Sequence, residues 1–235
     1  FAVNSQLWGW DPLGFRKTLL VFDLLTLLLL WLILRERHQP PAVLLLYAWC
    51  PIVLKEITNS MHIDAVCVCL LAAFVLAFMK QQYFLGFLAL FLASLVKITP
   101  LVLFPLAGFY LLRRGLWRRL LWQTAVMVAL GLIALWIMHL GAADPLSGWR
   151  AFAGKWRQND SIYGVTHFVL QSVLEPEYAA GATKGVLFSL YAVGLGLSYV
   201  YVDRLDRLID ACGWALLALF LISPVGNPWY LMWLL

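Results

Sequence analysis

The chain has 235 residues, of which 63% are hydrophobic and only 12% charged, against roughly 25% charged in soluble globular domains; an ordinary water-soluble protein is excluded. Twelve Trp, nine Tyr and fourteen Phe exclude intrinsic disorder, which goes with low hydrophobicity and few aromatics. The net charge of +5 comes from bases scattered in short groups between apolar runs, a pattern of membrane-loop charges and not of a nucleic-acid face.

Taken in order, the apolar runs are Thr18 to Leu34, Ala42 to Ile57, Ser60 to Met79, Tyr83 to Val96, Ile98 to Leu112, Leu120 to Leu140, Gly185 to Val202, Leu208 to Ile222 and a last one opening at Trp229. Runs such as Thr18 to Leu34, Leu120 to Leu140 and Gly185 to Val202 approach or exceed the ~18 residues of a transmembrane candidate. The expected fold is an all-α, polytopic transmembrane helix bundle of eight helices plus a truncated ninth. It forms a single transmembrane domain over 1–235, with a long external loop at 141–184. Phe1 in place of Met, and an end inside an apolar run at Leu235, are what a fragment missing both ends would show. Cys50, Cys67, Cys69 and Cys212 have no metal-ligand spacing and read as small hydrophobes. No DxD, HExxH, GxSxG or P-loop motif occurs, so soluble-type nucleotide and serine-hydrolase chemistries are unsupported, and with no carboxylate cluster in the sequence neither metal nor cofactor is expected.

Placing Arg35 to His38 in the cytoplasm also puts Lys80, the Arg113 to Arg119 turn and the Asp203 to Arg207 turn there, in agreement with the positive-inside bias. The opposite side then holds Phe1 to Lys17, residues 55–64, Lys97, the 141–184 loop and Ser223 to Pro228. One crossing from Tyr83 to Leu112 would break that parity; a hairpin keeps it. Its arms, about 21 to 23 Å long at 1.5 Å per residue, fall short of a ~30 Å hydrocarbon core. The tip at Lys97 is therefore expected to be recessed, beside a pocket open to the outer leaflet.

Four segments carry candidate chemistry. In Trp49 to Ala65 the side chains of Lys55, Glu56, Asn59, Ser60, His62 and Asp64 exceed what a turn needs; Ser60 or Asn59 would cap the third helix and put His62 and Asp64 in its first turn, where an anion is favoured. The other reading makes Asp64 itself the cap and pairs Lys55 with the surroundings of Glu56 at the interface. Lys97, before Ile98, Thr99 and Pro100, either meets an anionic partner such as a lipid phosphate or snorkels to the head groups. Trp149 to Tyr163, including Trp156 and Asn159, mixes aromatics with hydrogen-bonding groups as a sugar site does, and as an interfacial helix does. Asn227 and Tyr230 stand where the last helix starts, with Asn227 either a cap or a pocket residue. Asp23 has no basic partner within a turn of its own helix; satisfaction from another helix is expected.

At these residues the chain resembles the polyprenyl-phosphate-sugar-dependent glycosyltransferases of the GT-C superfamily, and within it the bacterial membrane mannosyltransferase-like proteins of glycosyltransferase family 87. The resemblance runs from Tyr47 to Pro51 through Lys55 and Glu56, His62 and Asp64, Lys97 to Pro100, Trp156 and Asn159 to Ser161, to Pro228, Trp229 and Tyr230. Cys50 stands where Asn is usual, Met61 where Gly precedes the His, and Asn227 where His often precedes the Pro-Trp-Tyr. The resemblance implies a multi-pass protein of a bacterial plasma membrane. It implies inverting transfer of a hexose, mannose first, from a polyprenyl-phosphate-sugar donor to a lipid or glycan acceptor on the exoplasmic side. It also implies a general-base Asp in a loop preceding Phe1. Lys97, His62 and Lys55 are then the expected phosphate-side groups, within a substrate-binding set of Lys55, Glu56, His62, Asp64, Lys97, Trp156, Asn159, Asn227 and Tyr230. The partners are membrane lipids, the lipid-linked donor and a glycan or glycolipid acceptor. A transporter or flippase of lipid-linked or small solutes is the alternative; it calls for polar groups near the midplane, whereas these gather on one side.

Overall fold

The computed structural model describes residues 6, 9, 11–141, 144, 147, 150, 156–159 and 161–234; parts of the expected sugar-facing loop, including Phe152, Lys155 and Asp160, lie outside them. The described residues are helical, and the only pairing of extended backbone among them is an isolated bridge between Gln158 and Val225. The chain divides into two compact units, Phe1–Phe104 with Pro228–Leu235, and Pro105–Asn227.

The first unit opens with α1 (Pro12–Glu36), whose start is fixed by Asp11: its carboxylate oxygens accept from the backbone N–H groups of Leu13 and Gly14 at 3.2 and 3.1 Å, and Pro12 takes the first helical position. That is a complete N-cap. Twenty-five residues give about 37 Å of helix, enough to cross a ~30 Å hydrocarbon core. Leu20, Val21, Leu24 and Leu28 are exposed, as befits a helix whose solvent on that face is lipid. Asp23 accepts a 2.8 Å hydrogen bond from the Tyr47 hydroxyl, the satisfaction from another segment that an acid inside an apolar helix requires.

The run from Ala42 to Ile57 is not one helix. It is divided into a 3-10 turn (Pro41–Leu44), short α-turns (Leu45–Ala48 and Pro51–Val53) and a π-helical turn (Leu54–Asn59). The break in its middle comes from Pro51, which lacks the N–H that would extend the preceding turn and drives Cys50 to extended backbone (φ −64°, ψ 121°) as a residue before proline is. No piece of this stretch is long enough to span a bilayer alone. Neither Asn59 nor Ser60 caps the next helix, because Ser60 closes the π-turn and Met61 is left-handed at φ 56°. That helix, α2 (Asp64–Met79), starts at Asp64 with Ile63 in the cap position.

α2 packs on both α1 and α3 (Tyr83–Val96). Leu19, Tyr47, Val53, Ile57, Ala65, Val68 and Met232 form one buried cluster. Farther along, the Phe78 ring meets Phe74, Tyr83 and Phe87 at centroid distances of 4.6, 5.3 and 5.9 Å. Gly86 makes this approach possible, since a Cβ there would lie 2.4 Å from the Phe78 ring. Small residues permit such close helix contacts in membranes. α3 stops at Val96, Lys97 is extended (φ −144°, ψ 140°), and a 3-10 turn (Thr99–Val102) leads into α4 (Leu103–Arg113). One continuous helix over 83–112 is excluded, and the Phe104 ring comes back to 5.8 Å from that of Phe87.

The second unit contains α5 (Trp117–Gly141), α6 (Ile162–Gln171), α7 (Pro176–Tyr201) and α8 (Leu205–Ile222). With α1, the helices α5 and α7 are long and apolar enough to cross a membrane. α6 falls within the expected 141–184 loop; it packs on α7 and α8 with Tyr163, Leu187 and Ile222 buried between them. The expected ninth helix is a 3-10 segment, Pro228–Leu234, belonging to the first unit.

Candidate functional site

Two acid–base pairs in the first unit meet one aromatic segment. Asp64 opens α2 and is fully buried, at 0% exposure. Lys97 places its Nζ 2.9 Å from Asp64 Oδ2, so the charges meet, and among the described residues Oδ2 accepts no hydrogen bond. Oδ1 accepts from Trp233 Nε1 at 3.1 Å. The Lys97 ammonium also lies over the rings of Tyr230 and Trp233, 4.6 and 5.6 Å from their centroids, and those rings stack on one another at 4.7 Å. A cation so enclosed is held by its carboxylate and by ring quadrupoles together.

The second pair rises from the π-turn. Glu56 is buried at 3% exposure; its Oε1 accepts from Lys55 Nζ at 2.7 Å and its Oε2 faces His62 Nε2 at 3.1 Å. The Lys55 ammonium holds the Glu56 carboxyl below its ordinary value, against the opposing effect of burial, so Glu56 is an anion at neutral pH. The His62 backbone N–H donates to Glu56 O at 2.9 Å, and the imidazole stacks on Trp229 with centroids 4.0 Å apart and planes at 21°. Lys55, with 69% of its side chain exposed, is the outward-facing cation of the group.

The segment Pro228–Leu234 therefore covers both pairs, through Trp229 on His62 and through Tyr230 and Trp233 on Lys97. Five of the expected residues, Glu56, His62, Asp64, Lys97 and Tyr230, are brought together, with Lys55 at their edge. Trp156, Asn159 and Asn227 belong to the second unit. There Asn159 is a latch: its Nδ2 donates to the carbonyls of Phe220 and Ser223 at 2.8 Å each, and its Oδ1 accepts from Ser161 N–H and Oγ. All four of its hydrogen-bonding positions are filled. Gln158 N–H adds a bond to Pro224 O at 2.8 Å, and Gly226 is required beside it because a Cβ would stand 2.8 Å from Asn159 Cγ. Trp156 is exposed and Asn227 buried.

Trp233 is the site residue that the sequence did not single out, and Trp229, read only as part of the Pro228-Trp229-Tyr230 motif, joins it. Trp233 stands 169 positions from its partner Asp64; its spacing of four from Trp229 and three from Tyr230 was the available signal.

Residues 13–113 match the MptA_B family model, described as alpha-(1->6)-mannopyranosyltransferase, N-terminal domain. The matched stretch is less than half of the chain and contains Lys55, Glu56, His62, Asp64 and Lys97. It supports a glycosyltransferase related to mannosyltransferases, in a membrane protein with three helices able to span. No curated protein and no solved structure matches the chain.

Proposed function

We propose that the chain is part of an integral membrane mannosyltransferase of the GT-C type. It moves mannose from a polyprenyl-phosphate donor to a lipid or glycan acceptor on the exoplasmic side of a bacterial plasma membrane, with inversion at the sugar's anomeric carbon. The observation that carries this reading is the mannopyranosyltransferase match over 13–113, which contains the charged residues that fold together in the first unit. A polar cluster beside helices made for lipid is where a soluble sugar and a lipid phosphate have to meet.

The residues divide by their surroundings. Lys55, exposed and next to a buried carboxylate, is the cation that reaches the donor's phosphate and stabilises the charge that grows there as the bond to the sugar breaks. Lys97 and Asp64 hold Tyr230 and Trp233 against the start of α2, and the stacked rings of this segment offer a flat apolar face of the kind a sugar's C–H face packs on. Inversion needs one displacement: the acceptor hydroxyl attacks from the face opposite the phosphate, and the lipid phosphate leaves with the bonding electron pair.

The test is transfer by the purified full-length protein in detergent, with radiolabelled polyprenyl-phosphate-mannose and a short mannoside acceptor. The expected product is a longer mannoside from the lipid donor and none from a nucleotide-linked donor. Movement of intact lipid-linked sugar across proteoliposomes, with no new glycosidic bond, would establish the transporter reading instead.

A further inference from the structure

The second unit holds a cavity that the transferase reading does not use. It is a groove of about 540 Å³, within the size range of ligand pockets and far above the few water-sized voids of a packed interior. Its lining recurs at helical spacing on α7 from Leu187 to Tyr201 and on α8 from Ala211 to Ile222, so it runs along both helices, for about 21 Å on α7 at 1.5 Å per residue. That is more than half of a ~30 Å hydrocarbon core, and so more than the share of one leaflet's chains.

Small side chains make the space. Gly194 on α7 and Ala211, Ala215 and Ala218 on α8 line it, and a Cβ built on Gly194 would meet no atom within 4 Å. Small residues ordinarily let two membrane helices close on one another; here the helices stay apart. Two hydroxyls in the wall are spent inside the protein, Tyr191 donating to Ala215 O at 3.0 Å and Ser198 to Leu195 O. Leu190 and Trp214 line the groove and are strongly exposed, so it opens on whatever surrounds these apolar helices, which is lipid. A hydrocarbon chain fits such a slot, whereas a sugar finds few groups to bond.

The end of the groove at Tyr201 is marked by charge. Arg113 lies over the Tyr199 ring at 5.7 Å and Arg207 over the Tyr201 ring at 5.4 Å, which ties the turn between α4 and α5 to the last turn of α7. That turn carries Arg113, Arg114, Arg118 and Arg119, all exposed and none in an ion pair among the described residues. The turn into α8 adds Arg204 and Arg207 against Asp203, Asp206 and Asp210, with Arg207 bonded to Asp203 at 3.0 Å. Six guanidinium groups against three carboxylates leave this end of the unit positive. Arginine matches phosphate through paired N–H donors, and bases gathered at the ends of membrane helices suit anionic lipid.

We propose that the groove between α7 and α8 is a binding site for an anionic phospholipid, with one acyl chain lying along the groove and the phosphate held by the Arg113 to Arg119 turn. The positive-inside bias makes the leaflet that supplies it the cytoplasmic one. The site stands apart from the sugar-transfer reading: every residue in it belongs to the second unit, and none is among the charged residues that gather in the first. The bound chain fills the gap that the small side chains leave and so holds α7 and α8 at their separation.

The test uses the full-length protein in mild detergent, stripped of lipid, with phosphatidylglycerol and phosphatidylcholine of identical chains as probes. Native mass spectrometry reads binding, and thermal unfolding reads stability. Phosphatidylglycerol is expected to bind at least about tenfold more tightly than phosphatidylcholine, at roughly fivefold for each arginine that meets the phosphate, and to raise the unfolding temperature; inorganic phosphate is expected to leave that temperature unchanged. Arg113→Gln combined with Arg118→Gln is expected to weaken phosphatidylglycerol roughly 25-fold on the same scale and to leave phosphatidylcholine unchanged. Gly194→Leu, which sets a side chain in open space, is expected to weaken both lipids at least about tenfold through the lost burial of two or three methylenes, with no fall in the unfolding temperature of the lipid-free protein. A phosphatidylglycerol carrying a photoactivatable diazirine in its chain is expected to label the groove wall, Leu195 and Ala215 among it, more strongly than α1 or α5. Equal affinity for the two lipids, or a folded Gly194→Leu protein that binds phosphatidylglycerol as tightly as wild type, overturns the site. If Gly194→Leu does not fold, the labelling decides: label spread evenly over α1, α5 and α7, or a groove left unlabelled because another helix or a second copy fills it, overturns the proposal as well.

Discussion

Replacing Lys97 with Gln removes one member of a buried ion pair and leaves the other in place. The pair sits at 2.9 Å with Asp64 at 0% exposure, so the charges attract by about 6 kcal/mol at an effective dielectric constant of roughly 20, most of it offset by the desolvation of both groups. Removing only the cation forfeits the attraction and keeps Asp64's desolvation, which costs about 3 to 5 kcal/mol where one partner of a buried pair is lost. The cation–π contacts to Tyr230 and Trp233 add roughly 0.5 to 2 kcal/mol. Lys97→Gln is therefore expected to unfold at a markedly lower temperature in detergent. Asp64→Asn is expected to do so as well, and the double variant to recover at least about 1 kcal/mol of the summed loss, as residues in direct contact do. Tryptophan fluorescence is a suitable reporter because Trp233 bonds Asp64 directly. Lys97→Gln with an unchanged unfolding transition, or a strictly additive double variant, would refute the pairing and restore Lys97 as a free phosphate ligand.

Three further outcomes follow from single positions. Met61 holds a left-handed φ of 56° while its side chain packs partly buried on the first unit's core, so Met61→Gly is expected to be more stable than Met61→Ala by about 0.5 to 1 kcal/mol, both losing the packing and only glycine relieving the backbone; thermal unfolding of the two variants checks it, and a Gly variant no more stable than the Ala variant would contradict the assigned backbone. Gly86→Ala drives a methyl to 2.4 Å from a Phe78 ring already enclosed by Phe74, Tyr83 and Phe87, with an expected loss of about 1 to 3 kcal/mol. An unfolding midpoint equal to wild type would show that α2 and α3 are farther apart. Gly226→Ala meets Asn159 Cγ at 2.8 Å and is expected to lose a similar roughly 1 to 3 kcal/mol, seen as faster proteolysis around residues 156–161; an unchanged cleavage rate would argue against the latch.

The sequence carried the elements better than the pairings. The three long spans were legible as apolar runs from Thr18, Leu120 and Gly185, although the helices open earlier, at Pro12, Trp117 and Pro176, and the break at Lys97 was legible from the parity of the charged turns. The same reasoning overran at 42–57: the hydropathy was high throughout, and Pro51 broke the backbone in its middle. It also left α6 inside a loop, since ten residues of amphipathic helix read equally well as an interfacial stretch. Which charge meets which was not legible. Asp64 with Lys97 and Trp233, or Asp23 with Tyr47, are tertiary contacts between segments far apart in the chain, and nothing in spacing selects one partner over another. Asn159 shows the converse, where a polar residue in an aromatic-rich loop read as a sugar ligand and its hydrogen bonds turn out to be filled by backbone carbonyls and Ser161. Met61 joins the two levels: the resemblance expects glycine before the histidine, and the left-handed backbone at that position is the physical reason for it.

The most direct test of sugar transfer from a lipid phosphate is the stoichiometry and stereochemistry of a single turnover by the full-length protein. Enzyme in excess over polyprenyl-phosphate-mannose is mixed with a mannoside acceptor, and released polyprenyl phosphate, new glycosidic bonds and the anomeric configuration of the transferred mannose are measured together by mass spectrometry and NMR. The account predicts equal amounts of lipid phosphate and new bond, with the configuration inverted relative to the donor. Retained configuration, or donor recovered intact while the acceptor stays unextended, would contradict it.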